Sequence, residues 1–530
     1  MNPPQYTLSI AFCNHDSCVT IADGRRVLLH LEGERFFKKK HIRVETAEKM
    51  DQLVAGALAY LKLSINDIAE VLLASFCNRY PLPQARILGK TFTPIMTGHH
   101  DNHIGTAFPS GFEDAVIICA DGGSDDGPGT PYLTTRVYLK KGDQITLLED
   151  LDHSSMNGRF YGTIAQMIIH PDFETAHNTG VGKLMGLSSM GRYDQKIWDL
   201  LEKHEELFNL HYVNGCEALL DLFGLSHNYE QPWYDEHKRN FAYCAHYFWV
   251  ERFFEQLKKY THLSPNIALT GGCALNISLN SKLIESGLFK NVYVSPISSD
   301  CGQSLGAVLY RYPKIICEYP YLGRGFNPYD VDDADLDCDI SQLVTDLIAG
   351  KIVAWYQGRS EIGPRALGHR SFLGLPNSIE MRDKLSIQVK RREPYRPVAA
   401  IILAEDEHNF FECQGDFRYM TFVARAKENT KQLAPAIVHY DGTTRLQTLG
   451  RSDNPLLYRC LQELKQRTGV PIIMNSSFNV MGHPIVDTPE DAMINFNESE
   501  CDVLYLNGLR IVNRRLAQKP VVRALAEAVT

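Results

Sequence analysis

YTLSIAFCNHDSCVTIADGRRVLLHLEGERF, Tyr6 to Phe36, sets apolar runs between polar breaks. An apolar run gives way to the polar CNHDSC. A second run follows, then the pair Asp23-Gly24, then a third run. Asp-Gly between alternating apolar segments is a strong hairpin signal, so the stretch reads strand, loop, strand, tight turn, strand. The plan returns in DAVIICADGGSDDGPGTPYLTTRVYLKKGDQITLLED, Asp114 to Asp150, with Gly142-Asp143 at the second turn. Each block starts with a buried strand that ends in a polar loop and then folds back as a hairpin. Together they read as a structural repeat with little sequence identity, inside an α/β fold.

Helical spacing surrounds the blocks. TAEKMDQLVAGALAYLKL and AYCAHYFWVERFFEQLKKYT carry apolar residues at helical period, and the aromatic stripe of the second reads as core. NIALTGGCALN and NVYVSPISSDCGQSLGAVLYR each read as a buried strand, a turn and a helix start, the second helix from about Gly302. CEYPYLGRGFNPYDVDDADLDCDI, Cys317 to Ile340, has Pro, Gly and Asp without a period and is the linker candidate. ISQLVTDLIAGKIVAWYQG then restarts as a helix entering a strand, so a second domain is expected from about residue 336 to the end.

The 530 residues correspond to about two to four domains. With 44% hydrophobic and 22% charged residues, large cores are available without disulfides. The net charge of −9 argues against a general nucleic-acid or membrane-surface binder. Thirteen cysteines without a C-x-x-C pair read as reduced thiols. MNPPQYTLSIAF lacks a signal-peptide pattern and no apolar run is long enough to span a bilayer, so a cytoplasmic location is expected.

GHHDNHIGTAF places His99 and His103 at i, i+4, where two imidazoles on a helix face the same way, as one metal ion requires. The pair His100 and His103 stays open as an alternative. Asp121 ends the apolar AVIICAD and Asp300 ends VYVSPISSD, so both carboxylates are expected at strand ends, where α/β clefts open. Two His and two Asp suit iron, zinc or manganese; two surface histidines are the competing explanation. Gly271, Gly272 and Asn276 in TGGCALN stand where a strand turns into a helix, a place for phosphate or simply a tight turn. NTGVGKLMGLSSMG adds Lys183 but does not match a Walker loop.

GRSEIGPRALGHRSFL, Gly358 to Leu373, crowds Arg359, Arg365, His369 and Arg370 around a Gly-Pro, and an anionic guest is the reading. KLSIQVKRREPYRPVAA adds Lys390, Arg391, Arg392 and Arg396; HYDGTTRLQTLGRSDNP adds Arg445 and Gln447; PIIMNSSFNVMGHPIV adds Ser476, Ser477 and Asn479. The planar fork of arginine gives phosphate two parallel charge-assisted bonds. KRR alone would be a solvated face. The arginine between prolines in PYRPVA is expected to be partly buried, and a buried guanidinium needs an anion.

These motifs together resemble the ATP-dependent O-carbamoyltransferases, the family of the tobramycin, cephamycin, novobiocin and nodulation-factor carbamoyltransferases. NHDSC, ERFFKKKH, HHDNH, ADGG, GKLMGL, GGCALN and SSDCGQSLGA resemble its N-terminal domain. GRSEIGPRALGHRS, VKRREPYRPVA, DGTTRLQT and NSSFNVMGHPIV resemble its C-terminal domain. The resemblance implies a duplicated actin-like (ASKHA, Kae-like) domain over residues 1–335 and a YrdC-like α/β domain over 336–530. It implies two steps. Carbamoyl phosphate and ATP (with Mg2+) give carbamoyl-adenylate, phosphate and pyrophosphate in the C-terminal domain. The carbamoyl group then passes to a hydroxyl of a small-molecule acceptor, a natural product or sugar, in the N-terminal domain, releasing AMP. Arg365, Lys390 and Arg396 fall on residues that hold the adenylate and phosphates, with Arg365 and Lys390 acting in catalysis. Arg445 matches a further basic position, and Ser477 and Asn479 match nucleotide contacts. His99, His103, Asp121 and Asp300 match ligands of a divalent metal, iron first. His15 matches the group that deprotonates the acceptor hydroxyl, a role that suits a neutral imidazole; a loop histidine bonding its own backbone is the competing explanation.

The chain departs from the family at His483 (usually Glu), at Val181 (usually the Glu-Gly before the lysine) and at Arg324 (commonly Pro). Two other functions compete: modification of a protein thiol or tRNA, the latter disfavoured by the acidic balance, and a non-catalytic nucleotide sensor. No nucleic-acid or membrane partner is expected, and a homodimer stays open.

Overall fold

The computed structural model describes residues 5–12, 15–75, 83–124, 133–151, 157–209, 216–326 and 338–514. The first block forms β1 (Tyr6–Phe12), β2 (Cys18–Asp23) and β3 (Val27–Glu32). Asp23 Oδ1 accepts the amides of Arg25 and Arg26, both at 2.7 Å, and closes the predicted turn. After β4 (Glu70–Ser75) a hairpin of β5 (Ala85–Ile87) and β6 (Lys90–Phe92) leads to β7 (Ile95–Thr97). The sheet order is β3-β2-β1-β4-β7, with β1–β4 and β4–β7 parallel and the rest antiparallel.

The second block repeats this order. It forms β8 (Asp114–Ser124), β9 (Leu133–Lys141) and β10 (Gln144–Asp150), joined by β11 (Asn266–Thr270) and β12 (Asn291–Val294). The order is β10-β9-β8-β11-β12, again with the two late strands parallel to the first. Much of the polar stretch between β8 and β9, residues 125–132, lies outside the described residues. The aromatic stripe is core: the helix Glu236–Leu257 buries Phe241, Phe248, Trp249 and Phe253.

Two details differ from the sequence expectation. Asp121 does not end its strand, because β8 keeps pairing with β9 through an irregularity between Ala120 and Ser124. Asp300 stands beyond the end of β12 at Val294, where Pro296 supplies no ladder donor, and begins the turn into the helix Gln303–Arg311.

Helix His99–Gly105 lies directly on helix Gln303–Arg311. A Cβ on Gly105 would stand 2.0 Å from the carbonyl oxygen of Gly306, and one on Gly306 would stand 1.8 Å from that of Asn102. Asn102 Nδ2 donates to Gln303 Oε1 at 2.9 Å, and Gln303 Nε2 donates to the carbonyl of His99 at 3.2 Å. The glycine pair therefore sets the spacing of the two elements that carry His99, His103 and Asp300.

The C-terminal part begins with helix Ile340–Ile348 running into β13 (Val353–Tyr356), as read. β14 (Arg370–Gly374), β15 (Ala399–Leu403), β16 (Phe411–Glu412), β17 (Val423–Ala426), β18 (Thr443–Leu449), β19 (Ile472–Ser477), β20 (Val503–Leu506) and β21 (Leu509–Val512) complete a mixed sheet. Its order is β16-β17-β18-β15-β19-β14-β13-β20-β21. The middle of the linker candidate, residues 327–337, and with it the 335/336 boundary, falls outside the described residues. Among the described residues no helix is long and apolar enough to cross a membrane.

Two arginines bind the units along one seam. Arg35, buried, donates to the carbonyls of Glu361 and Gly363, both at 2.6 Å, while Glu32 Oε1 accepts the Gly363 amide at 2.8 Å. In the opposite direction Arg359 donates to the carbonyls of Leu28 and Leu322 at 2.7 Å and of Gly323 at 2.9 Å.

Gly306→Ala is expected to destabilise the N-terminal unit by about 1–3 kcal/mol through overpacking, measured by urea unfolding. It should also lower divalent-metal affinity by parting the two helices.

Candidate functional site

His99 and His103 lie one turn apart on a buried helix and aim both Nε2 atoms at the same point, 3.1 Å from each other. Asp121 Oδ2 is 3.1 Å from His99 Nε2 and 3.0 Å from His103 Nε2. Asp300 Oδ1 is 3.2 Å from His103 Nε2 and 3.7 Å from His99 Nε2. One donor atom from each residue falls within 4.8 Å of the others. Two lone-pair nitrogens and two carboxylates converge, so the spot calls for positive charge. Burial opposes a charged His103, yet hydrogen bonds with Asp121 and Asp300 raise its imidazole to about 10. Asp121 is pushed well below the carboxylate range by His103 and His99, against the effect of burial. A divalent cation fits this donor set. His99 and His103 make the pair; His100 is not in the cluster.

The turn after β11 secures this centre. Gly271 has φ 84°, and a Cβ there would stand 2.2 Å from the carbonyl oxygen of Ala120. Asp121 Oδ1 accepts the amides of Gly122 at 2.7 Å and Gly272 at 3.3 Å. Asn276 Oδ1 caps helix Ile277–Glu285 through the amides of Ser278 and Leu279. His15 reaches the edge of the quartet, its Nε2 3.8 Å from Asp300 Oδ2. Burial opposes its charge, but the Asp16 hydrogen bond and the charges of Asp300, Asp16 and Asp121 raise it to about 9.

The second centre is a basic cavity between the units. Arg365, Arg392, Arg396, Arg445, Ser476 and Ser477 line it from the C-terminal unit; Met185, Gly186, Tyr247 and Ser278 line it from the N-terminal unit. Burial and then Arg396 push Arg365 down to about 10, and burial, Arg396 and Arg365 push Arg392 to about 9. Burial and the same arginines push Arg445 well below its ordinary value, and its Nε is buried without a hydrogen-bond partner. Such a cluster is incomplete without an anion. Lys390 and Asn479 stand behind the wall: Lys390 Nζ donates to the Ser477 carbonyl, to Ser477 Oγ at 3.0 Å and to Asn479 Oδ1 at 2.6 Å.

The comparisons with known proteins agree with this layout. Residues 83–309 match the family model "Carbamoyltransferase N-terminus" and residues 344–513 match "Carbamoyltransferase C-terminus". "Nodulation protein NolNO" of Sinorhizobium fredii is 30% identical over 95% of this chain and 79% of that protein. "Nodulation protein NolO" of Bradyrhizobium diazoefficiens is 32% identical, covering 81% of each. The chain belongs to the carbamoyltransferase family. "Nodulation protein U" of Rhizobium tropici is 27% identical over 95% of this chain and 96% of that protein.

In this carbamoyltransferase the Gly358–Leu373 segment is mostly scaffold, which corrects the anionic-guest reading. Arg370 stacks on Tyr356 at 3.5 Å and donates to the carbonyls of Gln357, Gly358 and Arg324. His369 stacks on Tyr321 at 3.6 Å and pairs with the Arg359 carbonyl. Arg359 serves the seam. Buried Glu361 Oε1 gathers the amides of Leu367 at 2.5 Å, Arg370 at 3.3 Å and His369 at 3.4 Å. Of the four basic residues only Arg365 lines the cavity.

The departures are local. Arg324 pairs with buried Asp487, its Nε 2.9 Å from Oδ2. The His483 side chain is exposed, and Val181 opens helix Val181–Ser188. Sequence reasoning undervalued Arg392, which is half-buried with Nη1 3.2 Å from Ser476 Oγ, while its neighbour Arg391 is exposed. Its only signal was the rigid PYRP that follows. His439 and Asp441, also on the cavity wall, carried no signal beyond their place beside Arg445.

Wild-type protein is expected to hold about one equivalent of divalent metal per chain, by inductively coupled plasma mass spectrometry. His103→Ala should lose it and His100→Asn should keep it; the reverse pattern would make His100 the ligand.

Proposed function

We propose that this carbamoyltransferase makes carbamoyl-adenylate in the basic cavity and passes its carbamoyl group to a hydroxyl of a small-molecule acceptor beside the His/Asp quartet. The C-terminal unit is read as YrdC-like and the N-terminal unit as a duplicated actin-like domain. The observation that carries the reading is the cavity's four guanidinium groups, three of them (Arg365, Arg392 and Arg445) depressed by burial and by their neighbours' charge, with two nearby acids, Asp441 on the wall and Glu393, whose Oε1 is 2.7 Å from Lys183 Nζ.

In the first step carbamoyl phosphate yields carbamate and phosphate with one water. A carbamate oxygen then displaces pyrophosphate from the α-phosphorus of ATP, which enters with Mg2+. Arg365, Arg396 and Arg445 face the charge that develops on the phosphoryl oxygens, a preorganised field that needs no reorientation during reaction. Ser477 faces the nucleotide, and Lys390 holds Ser477 and Asn479 in place. In the second step the acceptor oxygen attacks the carbamoyl carbon, its proton goes to His15, and AMP leaves. The Gly271–Gly272 turn and the start of the Asn276-capped helix are where the AMP phosphate is placed. A divalent metal, iron first, held by His99, His103, Asp121 and Asp300 would polarise the carbamoyl carbonyl as a Lewis acid.

Pyrophosphate release from ATP, measured with and without carbamoyl phosphate, tests the first step. Release is expected to require carbamoyl phosphate and to fall about 10²–10³-fold in Arg365→Ala. Release indifferent to carbamoyl phosphate, or to the substitution, overturns the assignment.

A further inference from the structure

ERFFKKKH, Glu34 to His41, brings beside His15 one side chain that the proposed reaction does not use, His41, with 6.4 Å between the two ring centres. His41 Nδ1 lies 2.9 Å from Asp16 Oδ1, and Asp16 Oδ2 lies 3.0 Å from His15 Nδ1. An ionised carboxylate only accepts, so both imidazoles donate from Nδ1, and Nε2 is the nitrogen of His15 left to exchange a proton. That nitrogen is the one on the quartet side, 3.8 Å from Asp300.

The backbone is shaped to hold this row. Asp16 has φ 66° and His41 has φ 50°, both in the left-handed region that few residues other than glycine adopt. Ser17 fastens the loop on both sides: its carbonyl accepts the Gly33 amide at 2.7 Å and its Oγ accepts the Val44 amide at 3.1 Å. Glu34 Oε2 accepts the His41 amide at 3.2 Å. Asp16 is largely buried, and its carboxyl is held down by the two imidazoles against the effect of burial. His15, Asp16 and His41 also lie close enough to hold a cation. Pairing of both Nδ1 atoms with the two oxygens of one carboxylate accounts for the cluster without one.

We propose that Asp16 and His41 are positioning residues. Asp16 fixes the ring orientation and the donating nitrogen of His15, and His41 fixes Asp16, so that His15 Nε2 takes the acceptor's proton. The inference rests on the proposed role of His15 as that base. During transfer the proton on the attacking oxygen moves to His15 Nε2. The new C–O bond forms as the bond from the carbamoyl carbon to the AMP oxygen breaks. The Nδ1 proton stays on His15, bonded to Asp16. Attack by water gives carbamate and AMP. Attack by the neutral nitrogen of hydroxylamine gives hydroxyurea and AMP and needs no prior deprotonation.

The test uses the full-length metal-loaded protein with ATP and carbamoyl phosphate, and counts products per pyrophosphate released. With water alone, AMP is expected to fall at least tenfold in Asp16→Asn and His41→Phe, and about a hundredfold in His15→Ala. Added hydroxylamine should bring hydroxyurea yield in all three back to within threefold of wild type. His41→Asn, which keeps a donor to Asp16, should retain at least a third of the wild-type AMP yield. Wild-type AMP yield in His15→Ala would remove the base reading itself. Loss in His15→Ala with wild-type yield in Asp16→Asn and His41→Phe would overturn the positioning inference alone. Loss of a second metal equivalent in His41→Phe, with no rescue by hydroxylamine, would overturn it in favour of a metal site.

Discussion

Two guanidinium groups reaching in opposite directions across one seam, Arg35 and Arg359, fix where the halves of this molecule stand. Each is largely withdrawn from water and donates to carbonyl oxygens of the other side, and Arg35 also pairs with Glu32 of its own side. A buried guanidinium left without acceptors is strongly unfavourable, so the seam holds as a unit or not at all. Because Arg359 opens the same segment that carries Arg365, fastening the seam also aims Arg365 into the cavity. Glu361, gathering three amides, keeps the chain between them from straightening.

The two centres are unfinished in opposite senses. The cavity gathers cations that disfavour one another, and the quartet gathers lone pairs that do. A nucleotide supplies the negative charge missing from the first, and a cation supplies the positive charge missing from the second. The helix Val181–Ser188 ties the cavity to both units. Its Met185 and Gly186 form cavity wall, while its Lys183 meets Glu393 of the REPYRP run from the other unit. Tyr395, from the same run, packs on Trp233 with 5.5 Å between ring centres. The cavity wall is thus built by both units.

Hairpins, the HxxxH pair and the RPVA arginine were legible in the sequence because each depends on local spacing. Asp23-Gly24 closes its turn through its own side chain, and His99 and His103 need only one helical turn to face together. The arginines of Gly358–Leu373 were not separable in this way. Whether a guanidinium meets a ligand or a carbonyl depends on which distant backbone passes by, and Leu28 and Leu322 carry no mark of it. Lys390 stands behind the wall for the same reason: Ser477 and Asn479 reach it only once β19 is in place. His41 stayed silent because its partner lies across a loop, at Asp16, and neither residue has a spacing pattern. Asp121 and Asp300 were found through their apolar strands although neither ends one, since the carboxylates still emerge at the same edge of the sheet.

While Glu32 pairs with Arg35 from its own side, the acceptors that meet Arg35 and Arg359 from across the seam are main-chain oxygens, belonging to Leu28, Leu322, Gly323, Glu361 and Gly363. Every residue type carries that atom. The joint is therefore uneven in what it asks of heredity: it pins Arg35, Arg359, Glu32, Glu361 and the glycines at 323 and 363, and asks nothing of the side chains of Leu28 and Leu322 for its hydrogen bonds. Surfaces on either flank can diversify toward new acceptors while the relative placement of the two halves stays as it is.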